Sequence, residues 1–158
     1  MKRIVVYYSL EGNTEKAAKQ IAEELGAEIV KIEPVKSIPP DSDKKFMVGG
    51  MQAVFGICPQ LQNESFDEAA YDQVILGTPV WAGKCASPVR SFIKKNRLDE
   101  KVTAVFTCSG GGDNDGCIAN LKKKLHHIQH TVALADQNNQ ELSGENGSRL
   151  ASFIKGLG

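Results

Sequence analysis

The sequence lacks a net charge, a paired-cysteine motif and any long apolar run, and each absence removes a class of function. Its 158 residues carry 19 Lys plus Arg against 19 Asp plus Glu, so no basic excess marks a nucleic-acid surface or a polybasic membrane patch. Neither nucleic acid nor membrane is expected as a partner. No stretch approaches the roughly 20 apolar residues that span a bilayer. The opening Met1-Lys2-Arg3 and the apolar run behind it imitate a signal peptide only as far as Glu11, and no small-x-small cleavage pattern follows. Four cysteines, Cys58, Cys85, Cys108 and Cys117, include no C-x-x-C pair, which argues against a zinc framework and a disulfide-dense secreted fold. Reduced thiols in a cytoplasmic protein are the expectation. Aromatic residues are few, 6% with a single tryptophan, while 41% hydrophobic and 24% charged residues make an ordinary globular mixture. This length suits one core, so residues 1–158 are read as a single domain.

What is present is an alternation of apolar runs and helical stripes. Residues 4–8 are apolar without alternation, as in a strand covered on both faces. Ala17, Ala18, Ile21, Ala22 and Leu25 then recur at helical spacing, with Asn13 or Thr14 placed to cap the start and Gly26 to end the helix. Residues 28–32 read as a second strand before Pro34. The unit repeats with strands at residues 74–76, 102–106 and 132–134. Helices are marked by Val89, Phe92 and Ile93 behind Ser87-Pro88, by Ile118, Leu121 and Leu125, and by Leu150, Phe153, Ile154 and Leu157. The alternation predicts an α/β fold, a doubly wound five-stranded parallel sheet. Residues 36–70 are irregular: Pro39-Pro40, a polar run, then Phe46, Met47, Met51, Val54 and Phe55 around Gly49-Gly50. One helix is expected near residues 45–55, ended by Gly56, with a surface excursion beyond.

In an open parallel sheet, ligands collect beyond the carboxyl ends of the strands where the strand order reverses. Three loops lie there. Ser9-Leu10-Glu11-Gly12-Asn13-Thr14 combines hydroxyls, a glycine and the amides that open a helix, a site for one phosphate; its plainer reading is a helix cap. Thr78-Pro79-Val80-Trp81-Ala82-Gly83 carries the tryptophan, which suits a wet rim where it can stack on an aromatic ring, or else a core or interface anchor. Cys108-Ser109-Gly110-Gly111-Gly112-Asp113 is glycine-rich enough to bring amides against a polar ring edge, or is a flexible turn. Together the three describe a mononucleotide with a planar tricyclic head.

Tyr8-Ser9-Leu10-Glu11-Gly12-Asn13-Thr14 resembles the S-x-T-G-N-T phosphate loop of flavodoxin-like FMN proteins. Residues 74–83, followed by Pro88-Val89-Arg90 and Phe92, resemble a second motif of that family. The resemblance implies a flavodoxin-like sheet of strand order 2-1-3-4-5, with FMN as cofactor at the switch point. It implies a redox function, electron transfer or two-electron reduction through bound FMN. Three departures stand out. Glu11 replaces a hydroxyl residue in the phosphate loop, where a carboxylate repels a phosphate, so it is expected to point outward. The third loop has no tyrosine to cover the second flavin face, leaving room for a nicotinamide or a quinone. The balanced charge is unlike that of acidic electron carriers, which steer by charge toward a redox partner protein. An FMN-dependent NAD(P)H or quinone oxidoreductase is one expectation; a flavin-free binding or regulatory module on the same fold is the alternative. No side chain stands out as a catalytic acid or base, and hydride transfer to a flavin requires none.

Other motifs fall away. Residues 77–85 lack P-loop spacing, with Cys85 where Ser or Thr should hold magnesium. Residues 85–90 are one residue short of a phosphatase loop. Tyr7-Tyr8-Ser9 stands where a receiver domain needs acids. Cys85, Cys108 and Cys117 are read as structural thiols over redox ones. His126 and His130 have a spacing that can share a metal, but imidazoles at a helix C-terminus are the expected reading, and no metal is assigned.

Overall fold

Successive side chains of a strand point to opposite faces, and here both faces of the central strands are covered. The computed structural model describes residues 1–36, 38, 45–63, 66–136 and 142–158. Its strands are β1 (Arg3–Tyr7), β2 (Glu28–Lys31), β3 (Gln73–Trp81), β4 (Lys84–Cys85), β5 (Val102–Ser109) and β6 (His130–Ala135). Five run parallel in the order β2-β1-β3-β5-β6, and the short β4 pairs antiparallel with the end of β3. The helices are α1 (Asn13–Leu25), α2 (Lys45–Val54), α3 (Ser87–Lys95), α4 (Asp115–Leu121) and α5 (Gly144–Leu157). On one face Ile4, Val6, Leu76 and Val105 pack with Val89 and Phe92 of α3 and Leu121 of α4. On the other Val5, Ile75, Phe106 and Leu134 pack with Ile21 of α1 and Leu150 and Phe153 of α5. Two-sided burial is why these strands read as unbroken apolar runs. The five parallel strands keep the expected doubly wound order, which reverses between β1 and β3.

The structure departs from the sequence reading at several boundaries. α1 is capped by neither Asn13 nor Thr14: its N-cap is Gly12, at φ 101°, whose preference for left-handed backbone lets the chain turn directly from the β1 exit into the helix. Gly26 ends α1 as expected, at φ 61°. β3 runs on through Thr78-Pro79-Val80-Trp81, expected as loop, because β4 folds back to pair with its end. α2 occupies the expected place, and Gly56 follows at φ 65°. The excursion after it is pinned by the Pro34–Leu61 bridge and by Ser91 Oγ donating to Pro59 O at 2.7 Å. The Pro39-Pro40 pair and residues 41–44 of the polar run lie outside the described residues. Among the described residues, no helix is long and apolar enough to cross a membrane.

The three histidines are not on a helix. α4 ends at Leu121, and His126 and His127 sit in the turn beyond, both directed at Asp99. The His126 backbone N–H donates to Asp99 Oδ1 at 2.6 Å and its Nδ1 lies 2.8 Å from Oδ2. His130 instead opens β6 and faces Gly156 of α5. The i, i+4 pair is therefore divided between different neighbours.

Two predictions follow from this packing. Gly77 sits opposite Phe106 in the β3–β5 register, and a Cβ there would meet the Phe106 ring at 2.2 to 2.8 Å. Gly77→Ala should destabilise the fold by ~2–3 kcal/mol, the upper range for forcing extra atoms into a packed core. Adding Phe106→Leu, which removes the clashing ring atoms, should recover part of that loss in urea unfolding. The hydrogen bond from His126 raises the imidazole pKa above 6.5 and lowers that of Asp99 below 3.8. Below pH 6.5 the raised imidazole stabilises the fold in full, and that contribution fades as pH climbs through its folded value; the Asp99 share is present above 3.8 and fades in stronger acid. Asp99→Asn should return the His126 titration to the ordinary range, read by NMR of the imidazole protons.

Candidate functional site

Where β1, β3 and β5 end, a crevice of about 300 Å³ opens between the strand ends and α2. Its first wall is the exit of β1. Ser9 Oγ accepts the Gly12 N–H at 3.0 Å and closes a tight turn. Because the N-cap is glycine, no side-chain oxygen of the cap covers the first-turn amides of α1, and a helix end of this kind presents donors and partial positive charge. Ser9, Leu10, Glu11, Asn13 and Thr14 all line the crevice, whereas Gly12 only shapes the turn. Thr14 is buried beside Cys108.

Glu11 does not point outward. Its Oε1 lies 3.0 Å from Lys45 Nζ, and both side chains are largely covered on the crevice wall. The ammonium at the start of α2 supplies the counter-charge that lets a carboxylate remain in this loop. Asp136, just past β6, also lines the crevice. Although the residue is exposed on the whole, its carboxyl pKa is raised, first by desolvation and then by the Glu11 carboxylate. The loop is thus set among two acids, one lysine and a helix N-terminus.

The second wall is the β3–β4 hairpin. Trp81 pairs with Lys84 across a two-residue turn in which Ala82 and Gly83 have φ of 50° and 74°. Positive φ at both positions is the I′ geometry that matches strand twist. Thr78 lies behind this wall, fully buried, its Oγ1 donating to Pro79 O at 2.8 Å and accepting from Ala86 N at 3.0 Å. Pro79, Val80, Trp81 and Ala82 line the crevice; Thr78 and Gly83 hold the hairpin in place. Trp81 is only 9% exposed. Tyr8 meets it edge to face at 5.6 Å, and a Cβ on Gly49 would stand 3.1 Å from the indole, so α2 lies against it. The indole is both a crevice wall and a member of the core, less open than a wet rim.

The third wall comes from the end of β5, where Cys108, Ser109 and Gly110 line the crevice. Gly111 is exposed and does not line it. Gly112 packs on Ala135, and Asp113 Oδ1 accepts the Asp115 N–H at 3.0 Å ahead of α4. Cys108 is a wall in the literal sense: burial pushes its thiol up to about 12, with Cys117 also near 12 and Cys85 near 11. Neutral, buried thiols agree with a structural role. The sequence reading did not include Lys45, Gly49, Gly50 or Asp136. The Gly49-Gly50 pair inside a helical run was the available signal, since glycine there marks a close approach.

The family model described as flavodoxin matches residues 2–140. The chain belongs to the flavodoxin family. A curated relative of this flavodoxin-family chain, from Syntrophus aciditrophicus strain SB, is named NAD(P)H dehydrogenase (quinone). It is 30% identical over 164 residues, covering 91% of this chain and 79% of the relative. Among solved structures, a Bacteroides uniformis protein superposes with a TM-score of 0.77 at 23% identity, over 98% of this chain and 97% of that one. A Lactobacillus acidophilus NCFM flavoprotein in complex with FMN gives 0.69 at 22% identity, over 96% and 97%. At those identities the structures establish the shared fold.

Ala82 is the one non-glycine residue with positive φ among the described residues, a conformation that costs an L-residue about 1–2 kcal/mol. Ala82→Gly relieves that strain at some cost in unfolded-chain entropy. It should raise stability in urea unfolding by ~0.5–1 kcal/mol, whereas Ala82→Val should lower it.

Proposed function

We propose that residues 1–158 form one flavodoxin-like domain that binds FMN in this crevice and works in the cytoplasm as a flavin-dependent oxidoreductase, with NAD(P)H as reductant and a quinone as acceptor. The observation that carries the reading is the meeting, at the sheet's switch point, of an α1 terminus without a side-chain cap and a rigid apolar hairpin across one crevice. The residues fit the cofactor at both ends. First-turn amides of α1, with the Ser9 and Thr14 hydroxyls and Asn13, would hold a phosphate. Pro79, Val80, Trp81 and Ala82 supply an apolar ledge for a planar ring, and Ser109 and Gly110 supply backbone for its polar edge. When bound, FMN supplies the hydride and electron chemistry.

The protein's part is to orient, shield and neutralise. Lys45 offsets Glu11 beside the phosphate position, and α2 closes one side of the crevice. Gly110 and Gly111 carry no side chain over the β5 exit, and among the described residues beyond their chain neighbours no atom lies within 4 Å of where a Cβ would stand on either, which leaves room for a second reactant. The name of the Syntrophus relative supports the NAD(P)H and quinone reading, as does the chain's zero formal charge, which is unlike the acidic excess by which carriers steer toward basic partners. Among the described residues all four cysteines are free, in keeping with a reducing compartment.

The test is a titration of the purified chain with FMN. The expected results are a yellow protein, quenching of the fluorescence of its single tryptophan, and bleaching of the flavin by NADPH or NADH in stopped flow. A colourless chain that leaves FMN fluorescence unchanged would support the flavin-free module instead. Lys45→Gln strips the counter-charge from Glu11 and should weaken FMN binding at least tenfold, about 1.4 kcal/mol. Glu11→Gln should bind as well as or better than the unmodified chain, and the double variant should fall between the two.

A further inference from the structure

A second concavity lies on the far side of the β3–β4 hairpin. It measures about 190 Å³ and takes four cations from three separate places: Lys84 of β4, Arg90 of α3, and Lys123 and Lys124 beyond α4. Ile93 and Leu121 give it an apolar floor, and no carboxylate lines it among the described residues. In a chain whose formal charge is zero, four positive charges facing one pocket are a local field, and concave low-dielectric walls concentrate it. Lys84, Lys123 and Lys124 form no ion pair among the described residues. Arg90 is oriented by the protein, its Nη1 donating to the carbonyls of Gln52 and Ile57 at 3.3 and 3.4 Å. Lysines following a helix can serve the helix dipole alone, but that role explains neither Lys84 nor Arg90, which arrive from other elements.

The pocket and the crevice share walls. Trp81 on the crevice side pairs directly with Lys84 on the pocket side, a separation of about 5 Å between Cα atoms. Gly50 of α2 borders the crevice, and Gly56, two residues past the end of α2, borders the pocket. The two concavities thus lie on either side of one hairpin.

We propose that this pocket binds the phosphate-bearing adenosine end of a dinucleotide whose nicotinamide reaches the crevice, and that its four cations select the 2′-phosphorylated form, NADPH, over NADH. The placement of the nicotinamide rests on the flavin reading above; the anion pocket does not. The 2′-phosphate adds a dianion that a site with four cations and no carboxylate favours, and the apolar floor accepts a purine face.

Calorimetric titration of the full chain, with and without FMN, by adenosine 2′,5′-bisphosphate and by adenosine 5′-monophosphate tests this. The bisphosphate should bind at least tenfold more tightly, with an affinity that falls as salt is raised. The variant Lys84→Gln/Lys124→Gln should lose that preference, while FMN binding, read by Trp81 fluorescence, should stay unchanged. Absence of bisphosphate binding, equal affinity for the two nucleotides, or a preference that survives the double substitution would each overturn the proposal. A chain that binds the bisphosphate with the expected lysine dependence but takes up no FMN would keep the anion pocket and remove the flavin reading; FMN uptake without bisphosphate binding would do the reverse.

Discussion

The start of α1 sets the electrostatics of the crevice, and its charge balance is close. A helix N-terminus offers about half an elementary charge, worth roughly 0.3–1 kcal/mol to an exposed anion. A full carboxylate ~4 Å from another anion costs about 4 kcal/mol at an effective dielectric near 20. On those magnitudes Glu11 would dominate the phosphate loop if it stood alone. Lys45, 3.0 Å away, changes the outcome, so the anion-accepting character of the β1 exit depends on where α2 begins. The loop motif and α2, which begins at Lys45, are one electrostatic unit.

α2 also presents apolar side chains to solvent. Its Met51 is 53% exposed, and Phe55 just beyond its end is 71% exposed. Its inward side rests on the Trp81 indole through Gly49, on Ser87 through a hydrogen bond to Gln52 Oε1, and on Arg90 through the Gln52 carbonyl. The crevice is therefore built from two parts, the sheet ends with their hairpin and a helix that carries the lysine.

The fold was legible because its signals are local. Two-sided burial erases alternation in β1, β3 and β5, and amphipathic stripes with Gly26 and Ser87-Pro88 at their ends mark the helices. What failed to show was whatever depends on a distant partner. Pro79 cannot donate to a ladder and so argues against a strand, yet β3 continues through it because β4 returns to pair with Val80 and Trp81. Glu11 read alone should avoid the phosphate loop; only Lys45, at the start of a helix distant in sequence, explains its place. Asn13 and Thr14 are good capping residues by type, but Gly12 turns the chain one residue earlier. His126 shows the same limit, since its partner Asp99 lies 27 residues back. Of the site, the motif-bearing residues on the strand ends were visible, while Lys45 and Asp136 were not, because a charge acquires its meaning from what it faces.

The β3–β4 hairpin is where these threads meet. A two-residue I′ turn is the shortest way to fold a strand back on itself, and here its first central position is alanine, which carries strain that glycine would avoid. The turn fixes Trp81 and Ala82 toward the crevice and Lys84 and Cys85 toward the basic pocket, with Thr78 locking both strands from behind through its hydrogen bond to Ala86. A residue inserted into β4 would slip its register against β3 and move Lys84 away from its place opposite Trp81. The short β4, which adds little to the sheet, is thus what separates an apolar crevice from a cationic one across the width of a single hairpin.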